Sequence, residues 1–178
     1  RALVKIRDGS AAAGSSVSLA SDLSGIAITL PPPYGKPAND TQPFFMTLKT
    51  VPDKPLALTL QYGKHFSAAA SFKQSNKNLK FISGELLMGE GQAQLQQSTG
   101  LVIAGKMQKV VWSQWQKYLG AYLQNPGIAS KKTWLHSARI RKIKLQIGKL
   151  LAFKHALNSL YVELVPNDKG WSVTIKNP

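Results

Sequence analysis

Leu56 to Phe72 reads LALTLQYGKHFSAAASF, two alternating runs joined by a short connection. Leu56, Leu58, Leu60 and Tyr62 share one face of an extended chain, with Thr59 and Gln61 opposite. Beyond Gly63-Lys64, Phe66, Ala68, Ala70 and Phe72 alternate with Ser67, Ala69 and Ser71. Period two sends successive side chains to opposite sides of a sheet, so the stretch predicts an antiparallel hairpin with one apolar face.

The same period extends in both directions. Upstream, Ala2 to Arg7 alternates, Asp8-Gly9-Ser10 signals a turn, Val17 and Leu19 begin a strand, and Phe44, Met46 and Leu48 share a face. Downstream, Leu79 to Met88 reads as two short strands broken at Ser83-Gly84, Ala93 and Leu95 as a weak strand, and Leu101 to Ala104 as a stronger one. Ile143, Leu145 and Ile147 then oppose Lys142, Lys144 and Gln146, with Ile140 out of phase, which predicts a bulge near Arg141-Lys142. Leu160, Val162 and Leu164 lead through a five-residue loop, 166–170, to Trp171, Val173 and Ile175.

One segment departs from period two. In VVWSQWQKYLGAYL, residues 110–123, apolar residues recur at spacings of three and four, predicting an amphipathic helix ended by Asn125-Pro126-Gly127. The expected fold is therefore mainly β. It is a strongly curved antiparallel sheet of about ten strands, a groove that either stays open or closes to a sandwich, with one helix near 110–123.

Composition narrows the function. The 178 residues suit one domain, or a section of a longer repeating β structure, and contain no Cys, which removes disulfides and thiolate chemistry. The chain carries 23 basic and 8 acidic residues, and eleven of the basic ones fall between Glu90 and Glu163, where there is no carboxylate. Such a field favours anionic partners. His65, His136 and His155 sit in separate segments without a second ligand at metal spacing, and the carboxylates are dispersed. No nucleophile elbow or phosphate-binding glycine loop occurs. The expectation is no enzymatic activity, no metal and no cofactor.

Ser21 to Lys36, SDLSGIAITLPPPYGK, is the other informative stretch. Ile26 to Leu30 reads as a short strand stopped by Pro31, Pro32 and Pro33, which donate no hydrogen bond and fix φ, so this is the expected edge or corner that sets the register of the later strands. The pattern Ser21-Asp22-Leu23, Gly25, Leu30-Pro31, Pro33 and Gly35-Lys36-Pro37 resembles the AsmA-like superfamily of bacterial envelope proteins, its YhdP-type branch above all. The strand Gly100 to Gly105, Trp112 and Trp115 after it, and the closing Gly170 to Ile175 come in the same order. The resemblance implies a section of a longer, inner-membrane-anchored periplasmic protein. It further implies that phospholipid moves between the inner and outer membranes along an apolar β-groove, without catalytic residues.

Pattern and resemblance meet on one point: one helix cannot cover so many apolar strand faces. Candidate groove residues are Leu56, Leu58, Leu60, Phe66, Ile143, Leu145, Ile147, Leu160, Val162 and Leu164, with Arg139, Arg141, Lys142 and Lys144 as a basic rim for anionic headgroups. Two other classes compete. A basic nucleic-acid-binding β domain would use the tryptophans as stacking platforms, but no recognition motif is present and the tryptophans fall on the helix's apolar stripe. A purely structural or interaction module of a large envelope protein is the third.

Overall fold

The computed structural model describes residues 2–9, 14–75, 78–117, 140–168 and 170–177. Ten strands lie in chain order in one sheet: β1 (Ala2–Arg7), β2 (Ser15–Ser21), β3 (Phe44–Thr50), β4 (Leu56–Tyr62), β5 (Phe66–Ser75), β6 (Asn78–Met88), β7 (Gly100–Val111), β8 (Ile140–Ala152), β9 (His155–Asn167) and β10 (Gly170–Lys176). Among the described residues each strand contacts only its sheet neighbours, and β1 does not meet β10. The sheet is therefore open and single-layered, a curved groove and not a closed sandwich.

Pairing is antiparallel except at β6–β7 and β7–β8, which are parallel. Parallel neighbours need a crossover instead of a hairpin. The first crossover, 89–99, contains no strand, although Ala93 and Leu95 alternate. Its polar groups are taken up by side chains of β5 and β6: Ala93 N donates to Ser67 Oγ (2.8 Å), Ser83 Oγ to the Gln96 carbonyl (2.6 Å), and Gln94 N to Glu85 Oε2 (2.6 Å). The second crossover opens with the helix. Val110 and Val111 still belong to β7, paired with Leu150 and Leu151, and the helical residues among those described are 112–117. The expected positions 118–123 and the Asn125-Pro126-Gly127 stop lie outside the described residues, as do Trp134 and His136.

Several strands differ from the sequence reading in extent. Leu79 to Met88 is part of one continuous strand, because the break expected at Ser83-Gly84 is instead a one-residue bulge between Ser71 and Phe72 on the β5–β6 ladder. The bulge expected at Arg141 is present: Leu101 pairs with Ile140 and Val102 with Lys142, leaving Arg141 as the extra residue. The β9–β10 ladder runs to Asn167↔Gly170, so the loop there holds two residues, not five. Ile26 to Leu30 is no strand but makes a single bridge, Ile28 with Lys36.

The β8–β9 hairpin turns on Phe153 and Lys154, both at positive φ (51° and 67°), the geometry of a two-residue turn that suits Asn-Gly. The Phe153 ring gains nothing there, being 83% exposed. Replacing the pair by Asn-Gly (F153N/K154G) should raise stability by about 1–2 kcal/mol, since left-handed backbone penalises side chains with a Cβ. Urea denaturation reads this directly; an unchanged midpoint would contradict it.

Candidate functional site

Cross-strand pairing fixes which side chains share a face. From Leu58 the ladder runs through Leu48 and Val17 to Ile6 at one edge, and through Ala70, Gly84 and Leu101 in the other direction. Met46, Leu60, Ala68, Leu86, Ile103, Ile143, Leu164 and Val173 form the next rank across the sheet. Tyr62, Phe66, Met88, Gly105, Leu145, Val162 and Ile175 form another. The result is one apolar face continuous over all ten strands. At the usual spacing of about 4.8 Å per strand it spans about 43 Å, against about 30 Å for the hydrocarbon core of a bilayer.

The opposite face is polar. Ser18 and Thr47 share a hydrogen bond of 3.1 Å, Ser71 and Ser83 one of 2.8 Å, and Lys142 pairs with Glu163. The hydrogen bond from Lys142 is the main reason the Glu163 carboxyl titrates below the ordinary range. Lys144 lies over the Tyr161 ring, 5.9 Å from its centroid.

Two clusters bury parts of the apolar face and leave the rest half-covered. Ala70, Phe72 and Phe81, with Leu56, Leu58 and Leu101 against them, form one near the start of β7. The other joins Met107, Val110, Ile147 and Leu160 to Tyr34, with Phe66, Met88, Trp115, Leu145, Leu150 and Val162 packed on it. Ladder pairing is interrupted at Gln108, Gly148 and Ser159, which stand abreast, and Ser159 adopts a φ of 53°. The alternation shifts there, so Val110 and Leu150 join the core where strict period two would bring Lys109 and Lys149.

Tyr34 reaches this cluster from residues 22–43, which leave the sheet between β2 and β3. Lys36, only 9% exposed, holds that excursion together. Its ammonium donates to the carbonyls of Ile26 (2.6 Å), Pro37 (3.0 Å) and Asp40 (2.9 Å). The Ile28–Lys36 bridge and the bond from Gln42 N to the Asp22 carbonyl (2.7 Å) close its base. Tyr34 then meets Trp115 edge-on at 5.6 Å and Phe66 at 6.5 Å, and burial raises its hydroxyl pKa. Excursion and helix thus cap one end of the face.

All ten residues chosen from sequence as groove candidates lie on this one face. Lys142 and Lys144 lie on the polar face, Arg141 at the bulge, and Arg139 outside the described residues. Sequence reasoning passed over Tyr34 and Lys36, for which the only available signal was an aromatic and a lysine in a proline-rich turn. It also passed over the apolar edge residues, Ile6 (72% exposed) and Ile175 (63%), whose alternation was visible but whose shared face needed the register. Among the described residues no group of three or more His, Asp or Glu could hold a metal, and no helix is long and apolar enough to cross a membrane.

Compared with known families, the chain matches the model described as YhdP protein over residues 1–178. No curated protein and no solved structure matches.

Proposed function

Because the chain belongs to the YhdP family of AsmA-like envelope proteins, we propose that it is a periplasmic, non-enzymatic section of a protein that carries phospholipid between the inner and outer membranes. The full-length protein is anchored in the inner membrane, and the lipid's acyl chains lie on the apolar sheet face. The observation that carries this reading is the unbroken apolar face on a sheet with no second layer among the described residues. An ordinary antiparallel sheet buries such a face against another element. Here Val4, Ile6, Trp171, Val173 and Ile175 at the edges stay exposed. Each methylene laid on such a surface gains about 0.8 kcal/mol, so an acyl chain is an energetically sufficient cover.

Native mass spectrometry of protein purified from bacteria tests it. Co-purified phospholipid is expected with the wild type and at least tenfold less with Leu58→Asp or Leu145→Asp, each of which sets a carboxylate on the hydrocarbon-facing floor. Circular dichroism checks that both variants fold. Equal lipid in wild type and folded variants would contradict the groove. The nucleic-acid reading has less support: Trp115 packs against the buried Tyr34, and Lys142 is engaged by Glu163.

A further inference from the structure

The sheet is cut back at the end where β7 and β8 begin. β6 starts at Asn78 but meets β7 only from Ser83, and β9 continues to Asn167 although its pairing with β8 stops at Leu164. Between these overhanging strands lies a hollow of about 740 Å³ whose floor includes Ile140 and Arg141. Phe81, on the apolar face, and the cations Lys73 and Lys80 line its side.

Three cationic side chains line the hollow, and among the described residues no carboxylate does. Lys73 stands directly opposite Lys80 in the β5–β6 register, an arrangement that destabilises a sheet when the charges are alike. Arg141 joins them because it is the extra residue of the β8 bulge, which turns it out of the regular alternation. All three side chains are exposed and so accessible to an anion. The hollow also touches hydrocarbon-compatible surface, since Phe81 pairs with Phe72 and Ile140 with Leu101, residues of two ranks of the apolar face that pack in one cluster.

We propose that this notch binds the phosphate of a phospholipid whose acyl chains lie on the adjoining apolar face. An anion relieves the Lys73–Lys80 repulsion, and Arg141 supplies a planar fork of donors suited to phosphate oxygens. The contiguity of cations with Phe81 and Ile140 favours an amphiphile over a free anion. The inference rests on the groove reading above and adds to it a fixed position for the headgroup.

The test compares short-chain phosphatidylglycerol, the chain-matched uncharged diacylglycerol and inorganic phosphate, titrated into the wild type, K73Q/K80Q/R141Q, and the charge-matched control K5Q/R7Q/K49Q from the β1–β3 edge. The expected result is a loss of about tenfold in phosphatidylglycerol affinity for the notch variant alone, with diacylglycerol binding unchanged in all three proteins. Equal losses in the notch variant and the control would overturn the site, reducing it to a general charge effect. Inorganic phosphate binding the wild-type notch as tightly as the lipid would overturn it in favour of a free-anion site. If the wild type binds neither phosphatidylglycerol nor diacylglycerol, the groove reading fails, and the headgroup site fails with it. If both bind but the notch variant matches the wild type, only the headgroup site is lost.

Discussion

Lys36→Met is expected to destabilise the protein by about 2–4 kcal/mol, because it removes one buried ammonium and the three hydrogen bonds that it donates to carbonyl oxygens. Methionine keeps the length and apolar stem of lysine, so the substitution isolates the hydrogen bonds. The three acceptors, Ile26, Pro37 and Asp40, come from both limbs of the 22–43 excursion, and the ammonium is what ties those limbs together. The consequence reaches the sheet. Tyr34, two residues away, is held over Met107, Ile147 and Leu160 by the same loop, and its ring stands edge-on to Trp115. Urea denaturation followed by tryptophan fluorescence should show an earlier midpoint and a native spectrum shifted toward water-exposed indole. A loss below about 0.5 kcal/mol, the range of ordinary surface substitutions, would mean that Lys36 does not organise the excursion.

Gly105→Ala is expected to cost about 3–5 kcal/mol, the range reached when strained backbone and steric overlap act together. Gly105 adopts a φ of 124°, which side chains with a Cβ rarely tolerate, and a Cβ there would overlap the carbonyl oxygen of Met88. The neighbours cannot yield easily. Gly105 lies within the parallel ladders on both sides, paired with Met88 and with Leu145. The substitution therefore pushes apart the central strands that join the two halves of the sheet. Gly25→Ala is the internal comparison: φ there is 82° but nothing lies within 4 Å of the added methyl group. It should cost only about 1 kcal/mol, the conformational part alone. Thermal melts of the two variants separate the steric from the backbone contribution, and equal shifts would mean that the Met88 carbonyl does not restrict this position.

The sequence carried the sheet's sidedness but not its connections. Alternation in Leu56–Phe72 and Ile143–Ile147 assigns each residue to a face without tertiary information, because period two leaves no other choice. Strand direction is another matter. Ala93 and Leu95 alternate like a strand, yet 89–99 crosses the polar face because Ser67, Ser83 and Glu85 satisfy its backbone, and those partners belong to the strands before it. Val110 and Val111 satisfy both a helical stripe and a strand, and pairing with β8 decides for the strand. Of the candidate site, the apolar residues were legible as a set, and Lys142 and Lys144 as cations on the face opposite to them. Their place on the polar face comes from alternation with Ile143 and Leu145. The shift at Gln108, Gly148 and Ser159 had no local signal, since it exists only as three strands abreast.

Site-specific photocrosslinking in living bacteria probes the groove most directly. A benzoylphenylalanine in place of Leu58 or Leu145 faces the proposed lipid path, whereas the same group at Thr59 or Lys144 faces away from it. Phospholipid adducts at the first pair and none at the second are the predicted outcome. Adducts of equal yield on both faces, or none at Leu58 and Leu145 in proteins that fold normally, would contradict the claim that acyl chains travel along this side of the sheet.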